Sequence, residues 1–218
     1  MNRCLRREEG QAAPLYITVV VGLLFLALLY FVFGKADIRR NEAQTAADAA
    51  ALAAAMESRQ GLENGLKLGL QDDILDGDFV RNFLKGNVPG RDGGCHAADY
   101  FAGRNGANAA SVDCGPLGDG RWGFKITLES GKTVGESTLP GTESQRAVAT
   151  ATAVVEPLCR FTPRENPRDE DGESDEEEKE SPSPGVIQCE DRDWIIDPAD
   201  LDLLPGLTDL FRVRLTED

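Results

Sequence analysis

Histidine is almost absent from this sequence of 218 residues, since His96 is the only one. The chain therefore lacks the second histidine that a His-based relay or a site of paired imidazoles needs. A zinc site from Cys95, His96 and Cys114 would lack the usual close pairs of ligands. The acidic strings 169–172 and 197–202 do not place ligands at alternate positions before a glycine, as an EF-hand does. We expect neither a metal nor a cofactor.

Basic residues are also in short supply. The chain has 23 Lys and Arg against 38 Asp and Glu, and its formal net charge is -15. About half of this excess lies in residues 165–180, where ten acidic residues face only Arg168 and Lys179. Nucleic acids and anionic lipid surfaces both attract clusters of Lys and Arg. The composition thus argues against a nucleic-acid partner and against peripheral adhesion to anionic lipid.

Recognisable catalytic motifs are missing as well. We find no phosphate-binding glycine loop, no nucleophile elbow and no pair of carboxylates that stands out as catalytic. We therefore expect no enzymatic activity. A membrane-bound hydrolase is a third hypothesis, which no sequence motif supports. A deep polar cleft in the structure would support it.

A long hydrophobic run is present near the N-terminus. Residues 15–33 contain no charge, and as a helix these 19 residues span about 28 Å, close to the hydrocarbon thickness of a bilayer. Tyr16 and Tyr30 lie near its ends, where amphipathic rings prefer to be. The run predicts a transmembrane helix rather than a buried core helix. A cleavable secretory signal, with Gly34 and Ala36 at the cleavage site, is the competing interpretation.

The orientation of this helix does not follow from its flanking charges. Three basic residues precede it and three follow it: Arg3, Arg6, Arg7, Lys35, Arg39 and Arg40. The positive-inside rule therefore favours neither orientation of the helix. Four of the five cysteines follow the helix, which favours an oxidising compartment for that side. We expect a cytoplasmic tail at residues 1–14 and an extracytoplasmic body.

Four downstream cysteines allow three pairings. We favour Cys95 with Cys114 and Cys159 with Cys189, because each bond closes a short loop rich in Gly or Pro. In the chain-entropy model each disulfide contributes about 3 to 4 kcal/mol. Free thiols in a cytoplasmic domain are the alternative.

An alanine-rich helix follows the hydrophobic run. Residues 46–55 contain eight alanines, and no proline interrupts residues 15–60, so one rod of about 70 Å is expected, with an Ala-rich extension at 34–60. Its small side chains form a smooth packing face, which comprises Ala43, Ala47, Ala50 and Ala54. Such a face lets another helix approach closely. It either packs against other helices in an assembly, or supplies a stiff stalk or docks the chain's own body.

These residues carry a family resemblance. Gly10-Gln11-Ala12, the hydrophobic run, and the Ala-Gln-Thr-Ala-Ala-Asp-Ala-Ala-Ala-Leu-Ala-Ala-Ala run at residues 43–55 resemble the N-terminal region of TadE/TadG-like Flp pilus-assembly proteins. The resemblance implies a pilin-like component of the tight-adherence apparatus, anchored in a bacterial cell membrane. It also implies that the helix contacts the bilayer and other pilin-like or Tad subunits.

One feature of pilin precursors is only half present. They are cut after a glycine and carry a glutamate at the fifth position of the mature chain. Here Gly10 is the candidate processing site, but Leu15 takes the place of the glutamate. An uncleaved anchor resembles the TadG-like branch better.

The rest of the chain predicts a small α+β body at residues 61–162. Apolar residues at helical spacing indicate one or two helices over 61–86, broken around 76–78, and a disulfide-stapled loop region over 90–120. Residues 121–130 and 147–158 are typical of strands. We expect an acidic, disordered loop at 163–185. The C-terminal segment 186–218 should return to the body, with Phe211, Val213 and Leu215 in a last strand.

Two functional hypotheses lead. The preferred one is a structural role in assembly of a Flp-type pilus or a related secretion apparatus. The alternative is a single-pass, membrane-anchored binding module, unrelated to pili, that uses its acidic loop to capture cations or basic wall components.

Overall fold

The computed structural model describes residues 12–62, 77–133, 135, 141, 143–164, 183–197 and 200–217. Gly10, the rest of the predicted tail before Ala12, and residues 165–182 of the predicted acidic loop lie outside these ranges. So do residues 63–76, which hold most of the first predicted amphipathic helix.

Helix α1 runs without a break from Ala12 to Gln60. Its 49 residues make a rod of about 73 Å, so the predicted continuous helix is confirmed. Pro14 lies in the first turn, where its missing N–H costs no intrahelical bond. Neither Gly22 nor Gly34 interrupts the rod.

Seven strands are described, in two antiparallel sheets. The main sheet has the order β1-β2-β3-β7, and the small sheet has the order β4-β5-β6. The strands are β1 (Asp113–Pro116), β2 (Gly123–Glu129), β3 (Val148–Pro157), β4 (Cys159–Pro163), β5 (Gly185–Cys189), β6 (Asp193–Ile195) and β7 (Phe211–Thr216). The predicted strands at 121–130, at 147–158 and after 210 are thus β2, β3 and β7.

The second half of α1 covers one face of the main sheet. Alternate residues of a strand point to the same face, and Phe124, Ile126 and Leu128 of β2 are buried together with Ala149, Ala151, Ala153 and Val155 of β3. Seven buried alanines of α1 between Ala43 and Ala55, and Leu62 just after the helix, belong to the same cluster. The α+β class is confirmed, and the core of the body includes the second half of α1.

Three shorter helices complete the described body: α2 (Gly77–Leu84), α3 (Cys95–Arg104) and α4 (Leu207–Leu210). Helix α2 buries its apolar side at Val80, Phe83 and Leu84, as the amphipathic pattern predicted. Helix α3 lies against α1.

Two local predictions need correction. The region 90–120 is not simply a loop, because it contains α3, a 3-10 turn at Ala109–Ser111 and β1. The predicted loop at 163–185 is too wide, because Pro163 and Gly185 pair as the last residues of a β4–β5 ladder. Gly, Asn and Asp suggested a loop in the first segment, and charged residues, Gly and Pro suggested one in the second. Strand β1 is ordered by its pairing with β2, and β4 and β5 are ordered by their pairing with each other.

Candidate assembly surface on the N-terminal helix

The first half of α1 is apolar and bare. Residues Ala13–Phe31 have a mean hydropathy of 2.3, and none of this segment is buried in the body. Within the described ranges this is the one helix long and apolar enough to cross a membrane. The hydroxyl of Thr18 donates to the carbonyl oxygen of Pro14 at 2.8 Å, so its polar group is satisfied inside the helix.

The predicted packing face is occupied by the protein's own body. Ala43, Ala47, Ala50 and Ala54 are at most 1 % exposed. They face the alanines of β3 and, from the side, Ala98 and Ala102 of α3, which are also buried. The sequence left open whether this face packs against other helices or against the chain's own body. In the structure it packs against the chain's own body. The four alanines are therefore not available to other subunits.

Polar contacts fix the docked half of α1 at two levels before its last turn. The amide of Gln44 donates to the carbonyl oxygen of Thr150 at 3.2 Å, on β3. Nearer the end of the helix, the carboxylate of Glu57 accepts the backbone N–H of Ala97 at 2.7 Å. This N–H lies in the first turn of α3, where backbone donors have no partner within the helix and a negative charge is favourable.

The end of α1 is held by a buried aromatic cluster. The indole N–H of Trp122 donates to the hydroxyl of Ser58 at 2.8 Å. The Trp122 ring meets Phe211 edge-on, with 5.1 Å between centroids, and Phe83 packs on Phe211 at 5.9 Å. Arg59 adds a hydrogen bond to the carbonyl oxygen of Phe211 at 3.1 Å. These contacts make α1 and the main sheet one unit.

Two disulfides are present, with the pairing that the sequence favoured. Cys95 is bonded to Cys114, which ties the start of α3 to β1. Cys159 is bonded to Cys189, directly across the β4–β5 ladder. The backbone N–H of Arg164 donates to the carbonyl oxygen of Pro184 at 3.1 Å, just beyond that ladder. The residues that flank 165–182 are therefore held side by side.

The outer face of the main sheet carries an arginine-bound carboxylate. Glu156 accepts hydrogen bonds from Arg214 at 2.5 Å and from Arg212 at 3.4 Å. The hydrogen bond and the charge of Arg214, followed by the hydrogen bond and the charge of Arg212, lower the pKa of Glu156. The hydrogen bond to Glu156 and the negative charge of that carboxylate raise the pKa of Arg214. At the turn before β2, the backbone N–H and guanidinium of Arg121 lower the pKa of Asp119.

A groove of about 380 Å³ lies beside the Cys159–Cys189 bond. It is lined in part by Glu190, Asp191 and Asp209, and the guanidinium of Arg192 lies 5.0 Å above the centre of the Trp194 ring. No group of three or more His, Cys, Asp or Glu that could hold a metal ion occurs in the part of the chain that the structure describes.

The geometry defines a class of protein: a compact α+β body docked on the second half of a long helix whose first half is apolar and uncovered. Residues 10–57 match the family model described as putative Flp pilus-assembly TadE/G-like. The N-terminal region thus has the family features that its sequence indicated. The match ends within the docked half of α1 and covers less than a quarter of the 218 residues. No curated protein and no solved structure matches the chain.

Proposed function

We propose that this protein is a membrane-anchored, pilin-like component of a Flp-type (Tad) pilus or a related secretion apparatus. Residues Ala13–Phe31 cross the cell membrane once, the tail before them is cytoplasmic, and the body is extracytoplasmic. The protein contacts other Tad or pilin-like subunits through α1 and has a structural role, not a catalytic one.

One observation carries this proposal. Residues 10–57 match the pilus-assembly family. This stretch contains both the exposed apolar segment Ala13–Phe31 and the alanines of α1 that pack on the body. An apolar helix of this length in water would be costly at about 25 cal/mol for each Å² of exposed apolar surface. A bilayer and neighbouring helices would bury this apolar surface, which the body leaves exposed. The two disulfides favour an oxidising compartment for the body.

Cross-linking of the full-length protein in its native membrane tests the assembly role. We expect covalent adducts with itself or with other pilin-like or Tad subunits, identified by mass spectrometry. Deletion of the gene should abolish fibre assembly or secretion, and the full chain should restore it. A variant that lacks residues 13–31 should not restore it. A strictly monomeric protein without a helix-mediated partner would refute the proposal.

A second candidate function is an anchored binding module that uses the acidic segment. The observation that favours it is the disulfide-bonded ladder that brings Arg164 and Pro184 together at 3.1 Å, since it presents residues 165–182 between fixed ends. Deleting residues 167–180 separates the two functions. Under the assembly role, fibre formation continues without this segment; under the binding role, binding of cations or basic wall components is lost.

Processing at Gly10 is a separate proposal. We expect the anchor to stay intact, because Leu15 stands where pilin precursors have a glutamate. N-terminal sequencing of the protein purified from its membrane checks this expectation. A mature chain that begins at Gln11 would show that the glycine is cut despite the missing glutamate.

A further inference from the structure

Strand β7 is an edge of the main sheet. Among the described strands the order is β1-β2-β3-β7, so β7 pairs with β3 on one side only. The backbone groups of successive residues in a strand point alternately to its two sides. The N–H of Val155 on β3 donates to the carbonyl oxygen of Trp122, on the β2 side, at 2.8 Å. Val154 and Glu156 therefore direct their backbone groups to β7.

The same alternation decides which backbone groups of β7 point outward. Arg212 and Arg214 are the residues of β7 opposite Glu156 and Val154, so their backbone groups bond to β3. The residues that alternate with them therefore point away from the sheet: Phe211, Val213 and Leu215.

The outward groups at the start of β7 already have partners. The N–H of Phe211 donates to the carbonyl oxygen of Leu207 in α4, and the guanidinium of Arg59 donates to the carbonyl oxygen of Phe211. Farther along the strand, no described residue bonds to the N–H or the carbonyl oxygen of Val213, or to the N–H of Leu215. Free backbone groups at a sheet edge are what an added strand binds.

Two arginines give this open edge a positive charge. Arg212 and Arg214 are exposed on the outer face of the sheet and share one carboxylate, that of Glu156. Glu217 is the next acidic residue along the chain and lies beyond the end of β7. Two copies of this edge would bring like charges together, which disfavours pairing of β7 with β7. An acidic strand would instead neutralise the remaining positive charge.

We propose that β7 binds an extended segment of a different subunit, which alternates acidic with apolar residues and extends the four-stranded main sheet. Its acidic residues lie on the outer face, beside Arg212 and Arg214. Its apolar residues lie on the inner face, beside Val213, which is half-buried, and Leu215, which is 37 % exposed. This inference rests on the proposed assembly role, and it names the edge and the chemistry of the partner segment.

A proline at position 213 tests the strand addition. The N–H of Val213 points away from β3, so Val213→Pro removes a donor from the open edge and leaves the ladder to β3 intact. Val213→Thr is the matched control, because threonine is also β-branched and keeps the N–H. The probe is a fluorescent peptide of alternating Val and Glu, and its binding to the full-length protein in detergent micelles is measured by anisotropy. We expect Val213→Pro to weaken binding about tenfold and Val213→Thr to leave it unchanged.

A second peptide and a second variant test the charge. A peptide of alternating Val and Lys should not bind, and Arg212→Gln with Arg214→Gln should weaken binding of the Val/Glu peptide about fivefold. Equal binding of the two peptides, or no binding of the Val/Glu peptide, would overturn the proposal. So would equal binding to the proline and threonine variants. If Val213→Pro lowers the melting temperature, the comparison of the two peptides on the native chain decides.

Photo-cross-linking in the native membrane separates this inference from the proposed function. A photoreactive residue at Leu215 reports on the edge, and one at Leu24, which is 60 % exposed in the apolar half of α1, reports on the membrane segment. We expect Leu215 to form an adduct with a different protein, within a segment that alternates acidic and apolar residues. Adducts from Leu24 without any from Leu215 would overturn the strand addition and leave the assembly role standing. An adduct between two copies at Leu215 would overturn the partner, and no adduct at either position would remove both proposals.

Discussion

Small side chains allow α1 to pack closely against β3 and α3 of the same chain. The alanines of α1 lie over the alanines of β3, and Gly94 brings the start of α3 against α1. A methyl group on Gly94 would collide with the carbonyl oxygen of Ala54 and would come within 3.0 Å of the Phe124 ring. Its backbone is extended, so close approach is the reason that this position requires glycine.

We therefore expect Gly94→Ala to lower the free energy of unfolding by about 1 to 3 kcal/mol, the usual cost of overpacking. Gly93→Ala is the matched control, because the nearest atom to its new methyl group lies at 3.4 Å. Thermal unfolding of the two variants, followed by circular dichroism, checks the difference. Equal melting temperatures would contradict the close contact between Gly94 and α1.

Glu156 should make the free energy of unfolding depend on pH. Its pKa is lowered by Arg214 and Arg212, so its contribution is present above the ordinary carboxyl value of 4.5 and is lost as pH falls through the lowered pKa. The side chain is 30 % exposed, which limits the contribution to less than about 1 kcal/mol.

We expect Glu156→Gln to be less stable than the native chain at pH 7 and equally stable near pH 2. Urea unfolding at both pH values measures this. Glu190→Gln, on the β5–β6 turn, makes the same change in net charge away from these arginines. A loss of stability in both variants alike would assign the effect to net charge instead of to the ion pair.

At the scale of elements, the sequence predicted α1 from its uncharged apolar run and its alanines, and β3 from its content of Val, Thr and Ala. It predicted β2 and β7 from alternating apolar residues. It did not predict α3, since Cys95–Arg104 is short and lies among glycines. The side-chain contact from Glu57 and the disulfide to β1 hold this helix. Strands β4 and β5 also went unpredicted, because a five-residue strand beside a proline-rich stretch is stable only once its partner is in place.

The Cys95–Cys114 bond should be needed for the position of α3. Replacing both cysteines by serine removes a cross-link with a sequence separation of 19. We expect a loss of about 3 kcal/mol in the free energy of unfolding, measured by guanidinium denaturation without reductant. Cys4→Ser, which removes a cysteine outside both disulfides, should leave the midpoint unchanged. An unchanged midpoint in the double variant would mean that Glu57 and core packing suffice to hold α3.

At the scale of the whole molecule, orientation is the property that the flanking charges do not decide. The five cysteines offer a test, because the four in the body are in disulfides and Cys4 is not among them. We expect a membrane-impermeant maleimide to leave intact cells unlabelled and to label Cys4 once the membrane is opened. Cys4→Ser is the control and should remain unlabelled in both states. Labelling of Cys4 in intact cells would reverse the proposed orientation.

The sequence by itself determined the long helix, its apolar first half, the α+β class and the match of the N-terminal region to a pilus-assembly family. Each of these properties depends on residues that are close together in the sequence, so the local sequence is enough to predict it. Only the tertiary structure decided what the alanine face of α1 contacts. A row of small side chains permits close packing but does not name the partner, which here is the protein's own β3 and α3.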